Sequence, residues 1–329
     1  MTSAENGGGR SDPREILTRP APPPDVVLRY GSGQDHVADV RLPPRPAPHP
    51  PSDSPSRPPS RPSSRPSSRP PGDAAVPIVV FLHGGFWRNE YDRAHTGPLA
   101  AALAASGFAV CTPEFHRASD AAIGWPGTFD DAAAAVDVLP GLVAAQLDAR
   151  FGPAAAQVDA RGPAAAAGGT DTSRVVLAGH SAGGHLALWA AARHRLPAGA
   201  PWRTERRLGV RAVVGLAAVS DLSACHEEGL GDGAAEALMG GPPEQLADRY
   251  AAADPARLLP LGARICLVHG TADDRVPVQM SHAFAARARA AGDKVALREL
   301  SGCEHFGLID PLSSAWPQVL ATFVEAVRL

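Results

Sequence analysis

Residues 179–183 read Gly179-His180-Ser181-Ala182-Gly183, between Arg174-Val175-Val176-Leu177-Ala178 and Gly184-His185-Leu186-Ala187-Leu188-Trp189-Ala190-Ala191-Ala192-Arg193. The run before them has the make-up of a buried strand, and the run after them is rich in helix formers. A strand that turns at once into a helix leaves no room for side chains on either flank of the turn. Glycines at 179 and 183 supply that room and leave Ser181 at the tip. The helix that follows points N–H groups and a partial positive charge at any anion formed beside the serine. In a chain rich in Gly, Ser and Ala the five letters alone say little. Their place between strand and helix is what makes Ser181 a candidate nucleophile.

Two further segments converge on the same chemistry. The β-branched run Ile78-Val79-Val80-Phe81-Leu82 leads straight into His83-Gly84-Gly85-Phe86-Trp87. Small residues after a strand let main-chain N–H groups approach a substrate carbonyl, so Gly85 and Phe86 are candidate oxyanion donors, joined by Ala182. A third apolar run, Ile265-Cys266-Leu267-Val268-His269-Gly270, precedes Thr271-Ala272-Asp273-Asp274-Arg275-Val276-Pro277. Carboxylates just past a parallel strand lie on the sheet edge where α/β proteins keep their sites. A last run at 295–300 leads to Gly302-Cys303-Glu304-His305-Phe306, so the candidates fall in the order Ser181, Asp273, His305. Serine is a poor nucleophile at neutral pH; His305 would take its proton, and Asp273 would hold the imidazole in the useful tautomer.

The pattern around these segments is an α/β alternation. Candidate strands at 26–30 and 36–41 form an antiparallel opening pair, followed by strands at 78–82, 108–112, 210–216, 265–270 and 295–300 besides the one before Ser181. Helical stretches at 97–105, 129–147 and 281–291 intervene. Such alternation predicts a mostly parallel sheet with helices on both faces. With 329 residues, 44% of them apolar, one sizeable core is available, which places a single domain at 26–329 after a flexible 1–25. Trp316, Leu320, Phe323, Val324 and Val327 recur at helical spacing and are read as packing. Residues 221–258 carry helical pieces broken by glycines and sit where a small helical cap over the site would go.

Two stretches depart from this pattern. Residues 42–73 contain a Ser-Arg-Pro repeat that has nothing to bury and is read as a disordered insertion. Residues 147–172 are an Ala- and Gly-rich loop expansion.

A net charge of −3 points to no polyanionic partner, so no nucleic acid is expected. Cys111, Cys225, Cys266 and Cys303 show no metal-ligand spacing, and Cys225-His226-Glu227-Glu228 points its side chains to different faces of a helix. No metal and no cofactor are expected. Residues 1–24 lack an apolar leader and no span long enough to cross a bilayer is evident, so no membrane and a cytoplasmic location are expected.

With these motifs in hand, the chain resembles α/β-hydrolases of the hormone-sensitive-lipase-like and kynurenine-formamidase-like group. The resemblance rests on Tyr30-Gly31 with Asp39-Val40, on 83–87, and on 179–187. Segment 270–277 also looks like the acid loop of prolyl-oligopeptidase-type hydrolases, where the acid stands four residues before the proline; that selects Asp273 over Asp274. The resemblance implies an α/β-hydrolase fold and a serine hydrolase of small carboxylic esters or aryl formamides. Lipase-like members often carry a third glycine where this chain has Phe86 followed by Trp87, and the aromatic version is similar to formamidase-type sequences. It implies Trp87 and Trp125 as substrate-binding candidates and a short acyl side. Two other readings stay open: a peptidase-type amidase, and a ligand-binding protein on the same scaffold, against which the presence of His305 counts.

Overall fold

The apolar runs become the strands of one eight-stranded sheet in a computed structural model that describes residues 12–45, 76–119, 122, 124–152, 175–205 and 209–328. The strands are β1 (Val26–Arg29), β2 (Val37–Arg41), β3 (Ile78–Leu82), β4 (Ala109–Pro113), β5 (Val175–His180), β6 (Ala212–Leu216), β7 (Arg264–Gly270) and β8 (Val295–Leu300). They lie in the order β1-β2-β4-β3-β5-β6-β7-β8. β1 and β2 run antiparallel, and every pairing from β4 onward across the sheet is parallel.

The long helices are α1 (Gly97–Ala105), α2 (Gly127–Phe151), α3 (Ala182–Ala192), α7 (Val278–Ala290) and α8 (Trp316–Val327). Between β6 and β7 come the shorter α4 (Leu222–Glu227), α5 (Leu230–Met239) and α6 (Ala247–Ala253).

Alternate residues of the central strands feed two separate cores. Ile78, Val80 and Leu82 of β3 and Leu177 of β5 join α2, α3 and α7 on one face. Val79 and Phe81, with Val176 and Ala178, join α1 and α8 on the other. Burial on both faces explains why these strands read as unbroken apolar runs. Parallel strands joined by helices also bring all their C-terminal ends to one edge, which is where the loops after β3, β5, β7 and β8 meet.

Several expectations need correction. The start of the chain was expected to be flexible up to residue 25, yet Pro13–Leu17 forms a 3₁₀ turn whose Ile16 is fully buried beside α1 and α8. An Asp12 cap on the turn and an Arg19–Asp310 ion pair hold it down. Residues 147–151, assigned to a loop expansion, are the last turn of α2, because Leu147 still reaches the core; residues 153–172 lie outside the described residues. Of the 42–73 segment, Leu42 is buried and its N–H donates to Asp25, while residues 46–73 lie outside the described residues. The packing role expected in α8 holds: Phe323 is in the core and Trp316, Leu320, Val324 and Val327 pack against it, beside the buried Val319, Thr322 and Ala326. Helix α2 is long and apolar enough, by length and composition, to cross a bilayer, contrary to expectation. Its alanines give it that character, and its Phe129, Val136, Leu139 and Val143 pack into the core.

Candidate active site

Ser181 stands between β5 and α3 with φ 55 and ψ −119, a backbone that a residue with a side chain adopts only when its surroundings impose it. The surroundings do so through sterics and hydrogen bonds. A Cβ on Gly179 would come within 2.2 Å of the Gly183 carbonyl oxygen, and one on Gly183 within 2.0 Å of that of Leu82. The Ser181 N–H donates to Leu216 O at 2.9 Å, and its carbonyl accepts from Val219 and His185.

His305 reaches the same place from the loop after β8. Its Nδ1 lies 2.7 Å from Asp273 Oδ2. The two loops are fastened through their backbones: Ala272 N–H donates to Cys303 O at 3.0 Å, and a Cβ on Gly270 would sit 2.2 Å from that same oxygen. The other oxygen of Asp273 accepts from the N–H groups of Arg275 and Val276 at 2.8 and 2.9 Å. Burial pushes the Asp273 carboxyl up, but hydrogen bonds from His269, His305 and the Val276 backbone outweigh it and hold the group far below the usual carboxylate range. Asp274 points away; its side chain is 73% exposed and meets only Arg275, at 3.5 Å, among the described residues.

Ser181 and His305 line one pocket of about 360 Å³ together with Arg14, Leu17, Gly85, Phe86, Tyr91, His95, His180, Arg275 and Phe306. The loop after β3 forms part of its wall. Gly85 has φ 112, and Phe86 and Trp87 follow at φ 50 and 57. The bend aims Gly85 and Phe86 at the pocket, and among the described residues neither donates its N–H to another backbone group. Ala182 is fully buried and is not part of the wall, but it opens α3, where N–H groups lack intrahelical partners.

The aromatic candidates divide. Phe86 faces the pocket and packs on Gly231, where a Cβ would come within 2.6 Å of its ring. Trp87 does not: with the chain reversed by two successive left-handed residues, it is 1% exposed in the core, edge-on to His185 with ring centres 5.1 Å apart. Trp125 also lies elsewhere, packed edge-on against Phe129 and Trp202, with Arg249 over its ring. Neither tryptophan lines the pocket. Residues 221–258, expected as its roof, supply none of its lining either; they pack Leu222, Cys225, Leu238 and Tyr250 into the main core. Arg14 and Leu17, from the segment before β1, stand at the pocket instead.

A buried ionic cluster lies at the start of the loop after β3. His83 Nε2 is 2.8 Å from Glu114 Oε1 and its Nδ1 is 2.8 Å from Gly84 O, so both nitrogens face acceptors. Burial raises the Glu114 carboxyl, but the hydrogen bond from His83 and the charges of His83 and Arg117 outweigh it and hold the group at about 2. His180 is wholly buried; its Nε2 donates to His305 O at 3.1 Å, and desolvation followed by the proximity of His305 keeps it well below its ordinary value. Among the described residues no three His, Cys, Asp or Glu side chains are grouped so as to hold a metal ion, and His226 pairs with Glu236 rather than with its neighbours in sequence. The four cysteines are free thiols.

Comparison with known proteins fits this architecture. The sequence model of the BD-FAE family matches residues 163–287, from before the serine turn to within α7. No curated protein matches the chain. A truncated carbohydrate esterase from gut microbiota superposes with a TM-score of 0.63 at 20% identity, covering 94% of this chain and 99% of that one. Esterase B from Lactobacillus rhamnosis gives 0.62 at 19%, covering 96% and 90%. A thermophilic esterase from the planctomycete Thermogutta terrifontis, with propionate bound, gives 0.58 at 20%, covering 91% and 92%. Together with the sheet order, these likenesses show an α/β-hydrolase fold.

Proposed function

We propose that the chain is a serine hydrolase that cleaves small carboxylic esters through an acyl-enzyme. The observation that carries this reading is the meeting, in one pocket, of a serine on a strained turn and a histidine whose Nδ1 is held by a buried carboxylate. With Nδ1–H donated to Asp273, the Nε2 of His305 is the basic nitrogen and can take the Ser181 proton as its oxygen attacks the carbonyl carbon. The N–H groups of Gly85, Phe86 and Ala182 take the charge of the tetrahedral intermediate, each worth about a hundred- to thousandfold in rate. His305 then gives the proton to the departing alcohol. Water repeats the sequence on the acyl-enzyme and releases the acid.

The carbohydrate esterase and the other esterase structures, and the BD-FAE match across the serine turn, favour esters over peptides. The test is covalent. A fluorophosphonate should label the protein once, on the peptide that carries Ser181, and should stop hydrolysis of p-nitrophenyl acetate in step with labelling. A protein that binds without catalysis would leave the serine unmodified, and labelling elsewhere would remove Ser181 from the mechanism.

The acyl side should be short. With Trp87 in the core, Phe86 alone of that pair bounds the pocket, its ring packed on Gly231. Phe86→Gly keeps the backbone donor and removes the ring. The ratio of butyrate to acetate hydrolysis, read on p-nitrophenyl esters, should rise by about tenfold or more. An unmodified enzyme that works best on octanoate would show that Phe86 does not limit the acyl chain. N-formylkynurenine belongs in the same panel, because a formyl group is the shortest acyl that this wall would admit.

A further inference from the structure

The charged residues in the pocket wall other than the catalytic histidine are all of one sign. Arg14 and Arg275 line it and no Asp or Glu does. Asp273 lies behind His305, its side chain without exposure. The other two histidines, His95 and His180, are buried, and desolvation pushes His95 down to about 4, so they add no charge near neutral pH.

Both guanidinium groups are short of partners. Arg14 makes no side-chain hydrogen bond or ion pair among the described residues; only its backbone N–H is engaged, by Asp12. Arg275 meets Asp274 at 3.5 Å through Nε, too long for a hydrogen bond, and that nitrogen is otherwise buried without a partner. Arginines nearby are occupied. Arg19 pairs with Asp310, Arg88 donates to the carbonyls of Gly231 and Asp232, and Arg93 pairs with Asp39.

Their place in the fold says which part of a substrate they meet. Arg14 belongs to the turn Pro13–Leu17, which packs both on the 3₁₀ turn Phe306–Leu308 directly after His305 and on the 3₁₀ turn Arg93–Thr96, whose His95 also lines the pocket. Arg275 follows Asp273 by two residues, and its backbone N–H holds that carboxylate. Arg275 therefore stands on the side of the histidine, Arg14 comes from a turn that joins that side to the Arg93–Thr96 turn, and Gly85 and Phe86 form the oxyanion side. The histidine must hand its proton to the departing oxygen, so the groups around it flank the leaving group.

Resting on the esterase reading above, we infer that the preferred esters carry an anionic group on their alcohol or phenol part, held by Arg14 and Arg275. A planar guanidinium pairs with a carboxylate through two parallel hydrogen bonds, and a part-closed pocket weakens the competition from water. The released alcohol is then itself an acid. The Asp274 carboxylate beside Arg275 is exposed and leaves room for a bound anion to replace it as partner.

The test compares p-acetoxybenzoate with p-acetoxybenzamide, which share an acetyl group and differ in the charge of the leaving phenol. Their intrinsic reactivities cancel when the ratio of kcat/KM values is compared between variants. In Arg14→Gln/Arg275→Gln the ratio of acid to amide should fall by about tenfold or more, and Arg14→Lys/Arg275→Lys should restore part of it. A second reading uses the unmodified protein: raising the salt to about 0.5 M should lower the same ratio severalfold, since ionic attraction is screened. A ratio that neither substitution nor salt moves would overturn the inference while leaving the esterase reading intact. Failure of fluorophosphonate labelling, with neither substrate cleaved, would instead overturn the reading on which it rests.

Discussion

Asp273→Asn is expected to lower kcat by about four orders of magnitude while the protein stays folded. The argument lies in the two oxygens of Asp273. One accepts the N–H groups of Arg275 and Val276, at 2.8 and 2.9 Å, and an asparagine must keep its oxygen there because its NH₂ cannot accept them. The NH₂ is thereby turned toward His305 Nδ1, 2.7 Å away in the present arrangement. A donor in that place makes Nδ1 an acceptor and moves the ring proton to Nε2, where it can no longer take the proton of Ser181. Asp274→Asn, at an exposed side chain, should change neutral-ester turnover by less than about twofold. Steady-state kinetics of both variants, with circular dichroism to verify folding, decide the matter. A larger loss at position 274 than at 273 would reassign the acid.

Glu114→Gln carries the largest expected loss of stability, about 3 kcal/mol or more. The carboxylate is almost inaccessible and serves several groups at once: His83 Nε2 at 2.8 Å, the N–H groups of Arg93 and Phe115, and Arg117 at 3.4 Å. An amide leaves the Arg117 guanidinium without its counter-charge and cannot accept from all of these donors at once. The same pair sets an acid limit. The folded-state value of Glu114, about 2, lies below its ordinary 4.5, so the folded state holds its ionised form more tightly than the unfolded chain does. That contribution is complete above about 4.5 and is lost as the pH falls from there toward 2. Chemical denaturation across this range should show the unmodified protein weakening on acidification and the Gln variant weakening less. Equal slopes would show that the Glu114 carboxyl is no more acidic in the folded protein than in the unfolded chain. Because His83 opens the loop proposed to hold the oxyanion, the variant should also lose turnover under conditions where it remains folded.

The parts of the site that could be read in the chain are those where one residue type follows one strand. Ser181 and Asp273 come just after apolar runs buried on both faces, His305 follows the half-exposed edge strand β8, and parallel pairing carries all three to the same edge. The parts that could not be read depend on backbone angles or on partners far away. Nothing in Phe86-Trp87 tells that two left-handed residues in succession send one ring to the pocket and the other to the core. Glu114 is a lone carboxylate after β4, and its meaning depends on His83, thirty-one positions earlier. Arg14 carries no local signal at all. It reaches the pocket because Ile16, two residues on, is buried between helices that the chain forms much later. Residues 221–258 carried the opposite kind of signal, a glycine-broken helical stretch in a suggestive place, but their apolar side chains are absorbed by the core.

The turn at Pro13–Leu17 separates two things that evolution can alter independently. Ser181, His305 and Asp273, the proposed nucleophile, base and acid, come from segments welded to the sheet, where even a methyl group on Gly183 or Gly270 would collide with main chain. Arg14 and Leu17 come from a short leading stretch secured by a single buried isoleucine and an ion pair at Asp310. A graft that keeps Ile16 and Arg19 as anchors and varies the positions between and before them would redraw the entrance without disturbing the machinery beneath. Lineages that exchange this stretch can change which substrates they admit while inheriting the bond-breaking apparatus whole.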